Sequence, residues 1–296
     1  MSAAVHETPP DGEDAAGSGP PPPTRRPEPA PRTQDVRTAV AQAPADLDLG
    51  GGWDTTARLV GGRWVVRRPR RPGVVAQLRR ETRLMPWLAP RLPLPVPVPE
   101  VVPGEPFAVR HPLVPGEPLT HPAHGRELGL FLRALHDCPT DEPLRLGVPR
   151  GRPADDLARF AADVVPLLPA NLHEPAHALL AAGRRLTGDV LVHGDLGPEH
   201  VLAADGRLTG VIDFGDAHLG DPAIDLAWAL HGTPPAFADA LAAAYGVTDD
   251  QRERALVAHR LGPWHEVAFG LDHDDPAIVR EGLDGVVARL RPATGP

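Results

Sequence analysis

Lysine is absent from the 296-residue chain, so all 30 basic side chains are arginine. Any task usually given to an ammonium must fall to a guanidinium, a planar fork of donors that does not lose its charge, or be left undone. Cysteine is reduced to Cys138, which excludes an intrachain disulfide and suits a reducing compartment. Aromatic residues make up 4%, so a ligand pocket is expected to be walled mainly by aliphatic and polar groups. No run approaches the roughly 20 apolar residues of a membrane helix. The segment Met1–Pro10 has neither the basic end nor the apolar stretch of a secretory signal. A cytoplasmic location with no membrane partner is expected.

The charge that is present is unevenly spread within a net −9. Residues 35–112 carry 12 Arg against 7 acids, whereas residues 113–296 carry 15 Arg against 27 acids. A basic first part suits a polyanion such as a nucleotide. An acidic second part suits a cationic small molecule and argues against nucleic acid, although both could be merely solvated faces. Residues 1–34 are Pro-rich without hydrophobic periodicity and read as a disordered tail, and no obligate protein partner is evident.

Patterning divides the rest. Leu59–Val60 and Trp64–Val66 flank Gly61–Gly62 and read as a hairpin. A helix is expected from Val74, with Val74, Leu78, Glu81, Met85 and Leu88 in one stripe, ended or kinked at Pro86. Helical spacing recurs over 126–136, 155–168, 175–186, 224–230, 235–245, 251–261 and 277–290. The fold class is therefore α+β, a small strand-rich first lobe (35–112) and a larger helical second lobe (113–296).

The densest chemistry lies in VLVHGDLGPEHVLAADGRLTGVIDFGDAHLGDPAIDLA, residues 190–227. Strands are expected at 190–192, 201–203 and 208–212, the last two joined by Asp205-Gly206, a strong hairpin signal. Counting across that turn places Asp213 opposite Pro198, two positions from His200 and three from Asp195. Carboxylates and an imidazole converging where apolar strands end are poorly explained by packing. Two close carboxylates repel unless a cation sits between them or one takes a proton. Mg²⁺ suits one or two carboxylates plus substrate phosphates, and the further His or Cys that zinc would want are absent nearby.

This segment resembles the catalytic loop and metal-binding strand of the aminoglycoside and macrolide phosphotransferase family, relatives of the protein kinases. The kinase pattern sets an Asn five residues after an Asp, followed later by Asp-Phe-Gly. Here His200 follows Asp195 by five, and Asp213-Phe214-Gly215 comes later. The resemblance implies a protein-kinase-like bilobal fold and an enzyme using ATP or GTP with Mg²⁺. It makes Asp195 the catalytic base or hydroxyl-orienting group and Asp213 the main metal ligand. His200 becomes the second ligand, a departure from Asn that this family also shows. His193, Asp221 and Asp225 are expected as structural support, Asp221 as a helix N-cap and Asp225 as a brace for the loop.

In the first lobe, Gly51 and Gly52 resemble the nucleotide loop, and Arg67 falls where the family's phosphate-contacting lysine stands. Glu81 would pair with it in a nucleotide clamp, the alternative being that it reaches solvent at the helix edge. His111 and Leu113 would meet the base. Asp216, Trp264, Glu266 and Asp272 are candidate acceptor contacts, each open to reading as a surface acid or core indole. The acceptor expected first is an aminoglycoside. A macrolide, a basic peptide antibiotic or a metabolite is the alternative, and a nucleotide-binding pseudokinase or a phosphoesterase is the rival of another class.

Overall fold

The computed structural model describes residues 46–50, 52–119 and 124–290, which form one compact unit. The tail expected over 1–34 and Gly51 lie outside the described residues. The first half forms an antiparallel sheet of β1 (Asp46–Asp48), β2 (Thr55–Val60), β3 (Trp64–Pro69), β4 (Glu100–Val102) and β5 (Ala108–Pro112), in the order β1-β2-β3-β5-β4. The β2–β3 turn needs Gly61 and Gly62 because both adopt positive φ, 60° and 62°. Helix α1 (Val74–Leu88) packs on this sheet and buries Val74, Leu78, Glu81, Leu84, Met85 and Leu88. It runs two residues past Pro86 before tightening into a 3₁₀ turn over Ala89–Arg91, so the proline does not end it.

A short β6 (Glu117–Pro118) precedes the helical half: α2 (Gly125–His136), α3 (Asp141–Arg145), α4 (Pro153–Arg159) and α5 (His173–Gly183). The helix expected over 155–168 is broken, α4 passing through a π-turn at Phe160–Val164 into a 3₁₀ turn at Val165–Leu167. Then come β7 (Val190–Val192), β8 (Val201–Ala204), β9 (Arg207–Val211), β10 (His218–Gly220), α6 (Ala223–His231), α7 (Pro235–Tyr245), α8 (Asp249–Asp272) and α9 (Pro276–Leu290). The main core fills this half, with Phe131, Phe160, Phe214, Phe237 and Trp264 fully buried.

Helix α8 overturns one expectation. The sequence pattern breaks at Gly262-Pro263, yet the helix continues to Asp272. A proline there leaves the carbonyl four residues back without its N–H partner, and the Arg289 guanidinium from α9 donates to that carbonyl, His259 O. A tertiary contact thus stands in for the missing helical hydrogen bond.

Candidate functional site

The β8–β9 hairpin turns through Asp205 and Gly206, both at positive φ, with Ala204 facing Arg207 as counted. A bulge then shifts the register, so Leu202 faces Gly210 and Val201 faces Val211. Thr209 is the extra residue, and its hydroxyl donates to Pro115 O. The shift brings Asp213 one position nearer His200 than the unbulged count, which placed it opposite Pro198. Ile212 N–H donates to His200 O at 2.9 Å. Asp213 itself has φ 67°, a left-handed conformation that Asp tolerates better than most residues.

Asp195, His200 and Asp213 line one cavity of about 1070 Å³ with Gly52, Arg67 and Asp216. His200 Nδ1 donates to the Asp195 carbonyl at 2.7 Å; a carbonyl only accepts, so the lone pair is on Nε2. Among the described residues no group of three His, Cys, Asp or Glu side chains forms a metal cage.

Arg67 joins the two halves. Its Nη1 reaches both Glu81 oxygens at 2.9 and 3.0 Å, and its Nη2 donates to Asp213 Oδ1 at 2.9 Å. Burial pushes the Glu81 carboxyl up and the Arg67 charge opposes this. Both Glu81 oxygens accept, as only the carboxylate can, so the pair stands as an ion pair. Burial also works against the Asp213 carboxylate, but the Arg67 guanidinium beside it holds it below the usual carboxylate range. Glu81, 2% exposed, does not reach solvent.

Under the 193–195 loop Asp225, His136 and His193 hold one another in a chain of hydrogen bonds. Asp225, fully buried, accepts from His193 N–H at 2.7 Å, Gly194 N–H at 2.9 Å and His136 Nε2 at 3.0 Å. Burial would raise its carboxyl, but these bonds, His136 first, hold it below the usual range. His136 Nδ1 accepts from the Tyr245 hydroxyl at 2.8 Å, and burial pushes that phenol up to about 12. His193 accepts from Asp195 N–H at 3.3 Å and donates to Ile212 O at 2.9 Å; burial lowers its pKa and keeps it neutral. Asp221 takes Ala223 N–H at 2.9 Å and forms an ion pair with Arg254, 2.9 Å away.

A model of the phosphotransferase enzyme family matches residues 47–256. The chain belongs to that family. It is 33% identical over 196 residues to the viomycin phosphotransferase of Streptomyces vinaceus, an overlap of 53% of this chain and 66% of that relative. The chain thus spans just under two thirds of the relative's length. Its fold is that of aminoglycoside 2'-phosphotransferase-IIIa in its GDP complex (TM-score 0.74, 24% identity, 88% of this chain and 99% of the other). It is similar also to a macrolide 2'-phosphotransferase from Brachybacterium faecium (TM-score 0.66, 24% identity, 89% and 99%). The kinase-like α+β architecture expected from sequence, a β-sheet first region and a helical second, is therefore the architecture of this chain.

Other predicted positions separate. Trp264 is in the core, its ring 5.8 Å from that of Phe160 and its N–H unpartnered; it does not line the cavity, because α8 continues through it and turns it inward. Asp272 is also outside the lining, its carboxylate held by Arg159 at 2.7 and 3.0 Å. Leu113 N–H is spent on Arg63 O at 2.8 Å. His111 pairs with Val65 in the sheet and bonds Pro112 O through Nδ1; neither residue lines the cavity. Glu266 and Asp216 do face it. Withdrawal from bulk water, then the charges of Asp195, Asp213 and Asp54, push the Asp216 carboxyl up to about 6. Burial likewise pushes Glu266 up, against Arg289.

Sequence reading missed His136, Tyr245 and Arg254, whose partners lie far away in the chain. It also missed His265 and Phe269 on the cavity wall. These two fall with Gly262 and Glu266 on one face of α8. That spacing would have been visible had the helix been extended through Pro263.

Proposed function

We propose that this chain transfers the γ-phosphoryl group of ATP or GTP to a hydroxyl of an antibiotic-like acceptor. The observation that carries the reading is the Arg67 fork on Glu81 and Asp213, opening on the cavity that also holds Asp195 and His200. In this reading residues 35–112 hold the nucleotide and residues 113–296 supply the chemistry and the acceptor wall. Phosphoryl transfer is mainly positioning and charge stabilisation. Asp195, whose side chain is 62% exposed toward the cavity, accepts a hydrogen bond from the acceptor hydroxyl and takes its proton.

The donor set fits Mg²⁺. Asp213 keeps 42% of its side chain exposed beside its bond to Arg67, and His200 Nε2 carries a lone pair. Two protein ligands leave room for water and phosphate oxygens, as Mg²⁺ requires, though imidazole suits softer metals better. Bound there, the ion would neutralise charge on the phosphates. Gly52, Arg67 and Glu81 form the phosphate side, whereas a base contact through His111 or Leu113 would need those groups to leave their present bonds.

The acceptor is read as cationic, because Asp195, Asp216 and Glu266 face the cavity and, although Arg80 and Arg289 line it too, none of the three carboxylates forms an ion pair with an arginine among the described residues. Aminoglycosides remain the first class. The 33%-identical relative named for viomycin favours that compound as a second. A coupled nucleotide-turnover screen with aminoglycosides, viomycin and macrolides tests this. Turnover with one class, abolished in Asp195→Ala, is expected; no turnover with any acceptor under ATP or GTP sinks the reading.

A further inference from the structure

The loop that enters β2 is gripped from two sides. From its own sheet, Arg70 Nε donates to Gly52 O at 3.1 Å and Arg71 donates to the Asp54 carboxylate. From α8, Phe269 stacks on Trp53, ring centroids 4.0 Å apart and planes 20° from parallel. Phe269 stacks in turn on His273 at 4.0 Å and 22°. Arg71 closes the circuit, donating to His273 Nε2 and lying 5.7 Å from the Phe269 ring centre. His273 Nδ1 donates to Phe269 O at 2.8 Å, which leaves Nε2 as the acceptor that Arg71 needs. Trp53 is 50% exposed, so burial in a core does not explain its place. One face of its indole is spent on Phe269, and both rings line the cavity that holds Asp195 and Asp213.

We infer that Trp53 and Phe269 are positioning residues: their stack holds the loop over the phosphate end of the cavity, so that a helix of the acceptor wall sets nucleotide affinity. The inference rests on the cavity being the nucleotide site. A residue that touched only the acceptor would leave nucleotide binding untouched, whereas a clasp acts on it before any acceptor arrives. The aromatic pair and the arginine over its face are each modest contacts. Losing them allows the loop more conformations without removing any group from the phosphates.

The test is calorimetric titration of the full chain with ADP and with GDP, both with Mg²⁺ and without acceptor. Trp53→Ala and Phe269→Ala should each weaken binding about three- to tenfold, a loss in the range of one aromatic pair. The double variant should be no more than about twofold worse than either single, since both remove one interaction. Trp53→Phe should restore affinity, and amide exchange over 52–58 should quicken in Phe269→Ala even without nucleotide. Wild-type affinity in both alanine variants, or losses that add, would overturn the inference while leaving the nucleotide site in place. Failure of the wild type to bind either nucleotide would overturn the functional reading and the coupling together. Should Phe269→Ala not fold, half-exposed Trp53→Ala decides alone.

Discussion

The floor under the 193–195 loop and the wall that faces the cavity are made from the same residue types put to opposite use. Asp225 below the loop has three donors on two oxygens, and His136 and Tyr245 continue the chain of hydrogen bonds inward. Asp195, Asp216 and Glu266, on the cavity side, form no ion pair with an arginine among the described residues, Asp195 lying 3.8 Å from His200 Nδ1. A buried charge must be paired or it is strongly destabilising, so the floor is closed and rigid. A cavity-facing carboxylate keeps its lone pairs for whatever enters. Fixed geometry and free chemistry are thus divided between two layers a few residues apart.

Substituting the free layer should give the largest effect on turnover and the smallest on folding. Asp195→Ala is expected to lower kcat by about 10²–10⁴-fold, the range of a positioned acid or base, with nucleotide affinity by calorimetry near wild type. A variant with normal turnover would remove Asp195 from the chemistry. Substituting the closed layer should do the reverse. Asp225→Ala leaves two loop N–H groups and His136 without an acceptor, and urea unfolding should show a loss of about 3–5 kcal/mol. Because the Asp225 carboxyl is held below its ordinary value, its stabilisation is complete above the usual carboxylate range and is lost as pH falls through the depressed value. The gap between wild type and Asp225→Asn should therefore narrow in acid. An unchanged gap would mean that the brace is not ionised.

Arg67 belongs to both layers, and Arg67→Lys separates its two duties. One ammonium cannot reproduce the fork that spans Glu81 and Asp213. Stability should drop by about 1.5–3 kcal/mol, the worth of a charged hydrogen bond, and nucleotide affinity should fall with it. Retention of both would show that the Asp213 contact is incidental. The smallest effect belongs to Asp216. Its carboxyl sits at about 6, so it is ionised at pH 7.5 and mostly protonated below pH 5. The KM for a cationic acceptor should rise severalfold as pH falls through that value, by about the 0–1 kcal/mol of an exposed ion pair. Asp216→Asn should flatten the dependence, and a profile unchanged by the substitution would exclude Asp216 from acceptor binding.

Most of the 190–227 segment was legible because its residues are close in sequence and its turns announce themselves. Asp205-Gly206 gave the hairpin, and Asp195, His200 and Asp213 followed from spacing. The bulge at Thr209 was not legible, since it answers to Pro115 in a different element. Glu81 was visible as an acid in an apolar stripe. Trp264 was offered as an acceptor contact because the helical pattern was ended at 261, whereas the helix runs on to Asp272 and turns the indole into the core. Arg289 supplies the hydrogen bond that the proline withholds from His259, and no local rule anticipates that.

By itself the sequence determined the two glycine-turn hairpins, most of the helical segments and the loop that carries Asp195, because these depend on period, turn chemistry and neighbours a few residues away. Tertiary structure decided that Tyr245 and His136 meet Asp225, that Arg67 reaches Asp213 as well as Glu81, and that Trp53 lies on Phe269. Each of those contacts joins residues distant in the chain, and their pairing follows from how the elements pack.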